Sequence, residues 1–427
     1  MTQYEQSKIA APADSPARRL LVISSYRIPC GIAQYAEHLV PELSDTLSDK
    51  YEVDVAALDV RLLKSGTSEA RKLARKHLSD HVERIKLADV VILQMEPGLF
   101  GNTPFEIRAR LKQLIDAAQR VIITHHTVLD LRDAARGIPL TRAGWYRLAR
   151  NFTLVYVLRW LYRYCRKQPE KFFHIVQTAL DQRMFTMLGI PTEHVTAHPL
   201  AFLSARQRTA FAQTQSRIAE KHLGSTKHEQ PVLIGVFGFL SAYKGIEVAI
   251  RAIGLLPANY HLLIVGALHP EGITLGTTKQ PYLYSLINEI APTDKQTKGI
   301  SRKMAERLKR IHFVGHVNNA DFTAYMHACD TVVLPYAEVG QRSSGPASMA
   351  LDLDKPVLCS RNLCFSELNA FAGAVETFEI GNHIELAEKI RIGDQLQDRR
   401  QAHSTQYNLE SRVELYRHAC NTLVGDS

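Results

Sequence analysis

No stretch of the 427-residue sequence is long and apolar enough to cross a bilayer, which excludes an integral membrane protein of the helical kind. Cysteine is sparse and scattered. Cys30, Cys165, Cys329, Cys359, Cys364 and Cys420 form no CxxC pair, and several sit in apolar strands or helices, so reduced buried thiols are expected rather than disulfides or a zinc site. None of the 18 histidines has HExxH spacing, and no two acids stand out as the flanking carboxylates of a hydrolase. The opening MTQYEQSKIAAPADSPARR lacks the apolar core of a secretory signal and reads as a short disordered lead over residues 1–18, so a cytoplasmic protein is expected. Acids are outnumbered, with 43 Asp and Glu against 52 Lys and Arg, and the formal charge of +9 calls for an anionic partner. Helix-turn-helix, zinc-finger and RNP-type strings are missing, which argues against nucleic acid and leaves anionic lipid or phosphorylated small molecules.

What is present is a soluble globular composition, 45% hydrophobic and 22% charged, in a chain long enough for two ordinary cores. Strand and helix signals alternate throughout, the pattern of parallel sheets covered by helices. Strands are expected at Leu20–Ser25, Val53–Leu58, Asp89–Gln94, Val121–His126 and His174–Thr178, then at Val232–Gly238, His261–Gly266, His312–Val317, Thr331–Tyr336 and Pro356–Ser360. The fold class is therefore α/β, with two doubly wound sheets. The polar stretch from Ser204 to Gln230 reads as the linker, and the segment Leu268–Lys309, rich in Thr, Lys, Pro and Gly before a basic helical stretch, SRKMAERLKR, can be assigned only to the surface.

Candidate chemistry gathers where strands give way to helices. In GVFGFLSAYKGIEVAIRAIGLLP a buried strand is followed by Lys244, Gly245 and a helical repeat of Ile246, Val248, Ala249, Ile250, Ala252 and Ile253. A helix start presents unpaired N–H groups and the positive end of a dipole, and a lysine there adds a point charge for phosphate; the plainer alternative is a solvated side chain. Gly31 stands at another helix mouth, either to let a ligand approach the backbone or as a turn glycine. Glu96, in ILQMEPGLFGN, and His126, in IITHHTVLDL, fall at the carboxyl ends of neighbouring strands, where ligands of open sheets bind. Ser343, Ser344 and Gly345, followed by Pro346, open a helix and form a second anion cradle or only a helix cap. Asp352-Leu-Asp354 has the DxD form of a Mg²⁺ motif but lies just before a buried strand, so a solvated turn is expected and no metal site is assigned.

A basic aromatic segment follows residue 141. It carries Trp145, Arg147, Arg150, Arg159, Trp160, Arg163 and Arg166 against a single acid, Glu170, and reads either as a peripheral membrane-surface helix or as a packed helix with its arginines in water.

Taken together, CGIAQYAEHL, VVILQMEPGLFG, IITHHTVL, GFLSAYKGIEVAIRAI, HLLIVG, HFVGHV, ACDTVVLPY and SSGPASMALDLDKPVL resemble the retaining glycosyltransferases of family 4, over nearly the whole chain and in the same order. The resemblance implies a GT-B fold, two facing Rossmann-like domains with a cleft between them. It implies an acceptor-side domain at 19–205, a linker at 206–230, a nucleotide-sugar-binding domain at 231–400 and a final helix within 401–427 that crosses back to the first domain. It also implies a UDP- or GDP-sugar donor, a glycan or lipid-linked acceptor, and neither cofactor nor metal. Carried over, Gly31 lies beside the donor diphosphate, Lys244 neutralises it, and Ser343, Ser344 and Gly345 cradle it; His126 stands beside the transferred sugar and Glu96 on the acceptor side. Gln341 and Glu338, the latter close to the usual acid but displaced from it, belong to the donor loop. The chain departs from the family pattern in having Gln341 and Met349 where many members have a glutamate pair, and Phe239 where many have an arginine. The alternative these departures raise is a catalytically silent, transferase-like partner or scaffold.

Overall fold

The computed structural model describes residues 17–128, 142–212, 231–268, 280–291, 302–337, 343–370 and 373–425. Two six-stranded sheets, every pairing parallel, dominate it. The first holds β1 (Arg18–Ser24), β2 (Tyr51–Ala57), β3 (Val90–Met95), β4 (Val121–His125), β5 (Phe172–Val176) and β6 (Val195–Ala197) in the order β2-β1-β3-β4-β5-β6. The second holds β7 (Val232–Phe237), β8 (Tyr260–Val265), β9 (Ile311–Gly315), β10 (Thr331–Leu334), β11 (Val357–Ser360) and β12 (Glu376–Phe378) in the order β12-β11-β10-β7-β8-β9. In β3 and β4 every residue is buried, as the continuous apolar runs of strands covered on both faces require.

The ten strands expected from the sequence form with ends shifted by a few residues. Two more, β6 and β12, join at sheet edges, each only three residues long and too short to display a period. Within the stretch assigned only to the surface, helices run from Pro281 to Ile290 and from Arg302 to Arg310. Most of the expected linker lies outside the described residues, apart from the helix Ala205–Ala212.

The two sheets share packing. One apolar cluster runs from Leu20 and Val22 through Phe202 and Leu203 to Phe237 and Leu334. The last helix, Leu409–Val424, packs against β4, β5 and the helix Gly31–Thr46. Its Arg412 is fully buried, donating through Nε to the Tyr35 hydroxyl at 2.9 Å and through Nη1 to the His198 carbonyl at 2.6 Å. The Tyr416 and Thr124 hydroxyls, 2.6 Å apart, fasten the same helix to β4.

Candidate active site

In each sheet the strand order reverses direction once, between β1 and β3 in the first and between β7 and β10 in the second. Chain leaving the carboxyl ends of such a pair turns to opposite faces and opens a crevice, where ligands of open α/β sheets bind. Among the described residues, Gly31 and Glu96 stand at the first crevice with His126 at the end of the neighbouring β4, and Lys244, Ser343, Ser344 and Gly345 stand at the second.

From β1 the chain reaches Gly31, the first residue of the helix Gly31–Thr46, whose N-cap Cys30 makes no side-chain capping bond and whose first turn has no acid. A Cβ on Gly31 would meet no protein atom within 4 Å, so packing does not demand the glycine. From β3 come Gln94 and Glu96, and from β4 comes His126, one residue beyond the strand's end. His126 Nε2 lies 2.8 Å from Gln94 Oε1, and its ring meets Tyr35 edge-on at 5.4 Å. Burial, reinforced by the Arg412 guanidinium, pushes the His126 pKa down to about 3, so the imidazole is neutral at pH 7 and acts as a hydrogen-bonding group rather than a cation. The Thr127 hydroxyl donates to the Glu96 carboxylate.

In the second crevice β7 ends at Phe237, and a 3-10 turn, Ala242–Lys244, leads through Gly245 into the helix Ile246–Ile253. Gly245 has φ 61°, and a Cβ there would fall 1.9 Å from the Pro335 carbonyl oxygen, so no other residue fits. That turn folds Lys244 inward. The solvated alternative fails for this lysine, which is 5% exposed and donates from Nζ to the Tyr336 hydroxyl, with Nζ 3.9 Å from the Tyr336 ring centroid. Burial lowers its pKa to about 7. Tyr336, just past β10, places its hydroxyl 3.2 Å from Ser344 Oγ, and Ser344 caps the helix Gly345–Asp352 by accepting the Ala347 N–H at 3.4 Å. Lysine, tyrosine, serine and helix start thus form one hydrogen-bonded chain. Ser343 is half-buried beside it, while Glu338 and Gln341 lie outside the described residues.

Phe202 bridges the two halves. Its ring sits edge-on to Tyr35 at 5.7 Å, and a Cβ on Gly345 would lie 3.3 Å from the same ring. His126, Tyr35, Phe202 and Gly345 are therefore contiguous, which brings the first crevice against the second. Phe202 is held in turn by Asp352, and here the expected solvated turn is wrong for that residue. Asp352 is 1% exposed and accepts the N–H groups of Phe202 at 2.6 Å and Leu203 at 3.2 Å, and burial raises its pKa to about 8. Met349, where the family pattern has an acid, is buried in the shared core and accepts a contact from the Thr323 hydroxyl at 3.6 Å, so it offers no carboxylate to the cleft.

The basic aromatic segment forms one helix, Arg142–Arg166. Val155, Val157, Leu158, Leu161, Tyr162 and Cys165 bury its inner side, as the packed alternative requires. Trp145 is 63% exposed, and Phe152, Tyr156, Arg159, Arg163 and Arg166 are exposed as well. Trp160 departs from the expected surface position. It packs partly buried against the core, with the Arg108 guanidinium 5.3 Å from its ring. The side chains of Arg147 and Arg150 lie outside the described residues.

No family model matches the chain, and no curated protein matches it by sequence. Solved structures do match, over almost the whole length. HepE from Anabaena in complex with UDP aligns at TM-score 0.59 and 14% identity, over 95% of this chain and 100% of that one. Sucrose-phosphate synthase from Thermosynechococcus elongatus aligns at TM-score 0.61 and 13% identity, over 96% and 100%. WaaG, a glycosyltransferase involved in lipopolysaccharide biosynthesis, aligns at TM-score 0.59 and 16% identity, over 95% and 100%. The chain has the GT-B fold. Within that fold, the residues that sequence reasoning passed over are Tyr35, Phe202, Tyr336 and Arg412. Tyr336 was open to discovery, because it follows the strand in ACDTVVLPY and so stands at a carboxyl end. Arg412 had no local signal, since its partners are more than two hundred positions away.

Proposed function

We propose that this protein is a glycosyltransferase that moves a hexose of glucose or mannose type from a UDP- or GDP-sugar to a glycan or lipid-linked acceptor, with retention and without a metal or cofactor. The observation that carries the reading is the buried Lys244, aimed by Tyr336 at the start of the helix Gly345–Asp352 in the switch-point crevice of the second sheet. A cation and helix N–H groups placed together suit a departing diphosphate, whose developing charge they would stabilise. HepE has been solved with UDP and with UDP-glucose, which favours a nucleotide-sugar donor for a chain of the same fold.

On this reading 231–400 binds the donor and 19–205 the acceptor. Gly31 lets the diphosphate approach the first helix, Ser343, Ser344 and Gly345 cradle its oxygens, Glu338 and Gln341 of the donor loop bind elsewhere on the donor, and the neutral His126 hydrogen-bonds the sugar. Glu96 faces the acceptor. Retention, freedom from metal and the class of sugar and acceptor rest on the resemblance to family 4. The exposed Trp145, Phe152, Tyr156, Arg159, Arg163 and Arg166 support docking of the first half on an anionic cytoplasmic leaflet, near a lipid-linked acceptor. The buried Met349 favours the second reading, a silent partner protein, since it removes one acid from the usual donor site. Titration with UDP, GDP and their glucose and mannose derivatives, with donor hydrolysis followed in parallel, separates the two. A transferase binds one series and slowly hydrolyses its sugar, whereas a silent partner does neither.

A further inference from the structure

We propose that above neutral pH Lys244 is mainly a neutral amine in the unliganded protein, held by Tyr336, and that binding a nucleoside diphosphate converts it to the ammonium, so that each diphosphate bound there takes up close to one proton from solvent. The inference rests on the reading above of Lys244 as the cation that meets the diphosphate.

An ammonium group carries three N–H donors and no acceptor. Among the described residues, Lys244 Nζ has one hydrogen-bond partner, the Tyr336 hydroxyl, and no carboxylate is paired with it. Its 5% exposure leaves little room for water to serve the remaining donors. A buried charge without an anion loses more hydration than one aromatic face returns, even with Nζ 3.9 Å from the Tyr336 centroid and 5.1 Å from that of Tyr243.

Among the described residues, the other groups around it do not offset the cost of its burial. Tyr243 has its pKa pushed up to about 12 and Tyr336 well above the usual tyrosine value, both by burial, so both are uncharged at neutral pH. The Cys364 thiol, buried on the helix Leu363–Ala370, draws the lysine's pKa upward by less than burial lowers it, and Ser344 is neutral. Burial accordingly brings the amine's pKa to about 7.

The hydrogen-bond chain can also serve the amine. The Ala347 N–H donates to Ser344 Oγ, and the Tyr336–Ser344 bond can run either way; with Nζ uncharged, the contact in which Nζ donates to the Tyr336 hydroxyl can reverse, so that the tyrosine proton meets a lone pair. Such a lone pair exists only on the uncharged form. When phosphate oxygens arrive they accept N–H donors that the protein leaves unserved, the amine takes a proton from a buffer acid, and the Tyr336 hydroxyl turns from donor to acceptor. One N–H bond forms at Nζ, one bond to hydrogen breaks in the buffer acid, and nothing is oxidised or reduced.

Calorimetric titration of the full chain with UDP and with GDP at about pH 8, in HEPES and in Tris, reads the proton count from the difference in heat between buffers of unlike ionisation enthalpy. A terminal phosphate has its second pKa at about 6 and is already ionised there, so the ligand contributes little uptake. The expected result is close to one proton taken up per nucleotide bound, with affinity falling about tenfold per pH unit above neutrality. Lys244→Arg keeps a permanent cation, and should bind with no uptake and a flat pH profile. Wild-type binding without proton uptake overturns this inference and leaves the transferase reading standing. Uptake that persists in Lys244→Arg places the proton elsewhere and also overturns it. Binding of neither nucleotide at any pH overturns both this inference and the transferase reading.

Discussion

The Asp352 carboxylate accepts the backbone N–H groups of Phe202 and Leu203, at 2.6 and 3.2 Å, and so ties the helix Gly345–Asp352 of the second sheet to the segment that follows the first. Phe202 is the ring that touches both Tyr35 and the Gly345 turn. A single buried acid thus fixes the bridge between the two crevices.

Asparagine and alanine at this position should part company. Asp352→Ala leaves two buried N–H groups without an acceptor, at about 1–3 kcal/mol each, and should lower unfolding stability by several kcal/mol. Asp352→Asn keeps an acceptor oxygen and cannot ionise as pH rises. Because the folded-state pKa is raised to about 8, the wild-type carboxylate favours folding in its protonated form, and that contribution is lost as pH rises from the unfolded carboxyl's value through about 8. The stability of Asp352→Asn relative to wild type should therefore increase with pH across that window. Urea melts at several pH values test this, and a flat difference refutes it.

Lys244→Ala should weaken UDP or GDP binding by roughly tenfold or more, since a charge-assisted contact contributes about 1.5–3 kcal/mol. Its far-UV circular dichroism should match wild type. Unchanged affinity removes Lys244 from the site.

His126→Ala should reduce turnover more than donor affinity, because the imidazole is joined to Gln94 and Tyr35 at the first crevice, away from Lys244 at the second. Steady-state kinetics beside nucleotide titration check it. A loss confined to nucleotide affinity contradicts a place beside the sugar.

Reversal of Arg159, Arg163 and Arg166 to Glu should abolish sedimentation with anionic liposomes. Each surface cation is worth about 1 kcal/mol near such a leaflet, and wild-type binding should fade as salt rises. Activity on a soluble acceptor analogue should persist. Wild-type protein that ignores anionic liposomes even at low salt leaves the helix a packing element only.

The sequence reveals the sheets wherever a strand is long and covered on both faces. Val90–Met95 is legible as six apolar or uncharged residues in a row, whereas Glu376–Phe378 has only three residues in which to show anything. The site divides in the same way. Lys244 and Ser344 are visible because each stands at a junction of two local patterns, a strand ending and a helix beginning. That Lys244 is buried is not visible, since the burial comes from Gly245 tucking the turn under Pro335, and Pro335 lies ninety positions on. Asp352 misleads for a related reason. Its local setting is a turn, but the amides of Phe202 and Leu203 arrive from a segment about one hundred and fifty residues earlier.

The final helix has a mechanical consequence. Arg18 opens β1, and Leu409–Val424 packs on the same sheet, so both ends of the described chain belong to the first unit while the second is threaded between them. A tether pulled at Arg18 and Val424 would load the first sheet and the Arg412 and Tyr416 fastenings before any tension reached β7 through β12. The second sheet is sheltered from that load until the last helix peels away.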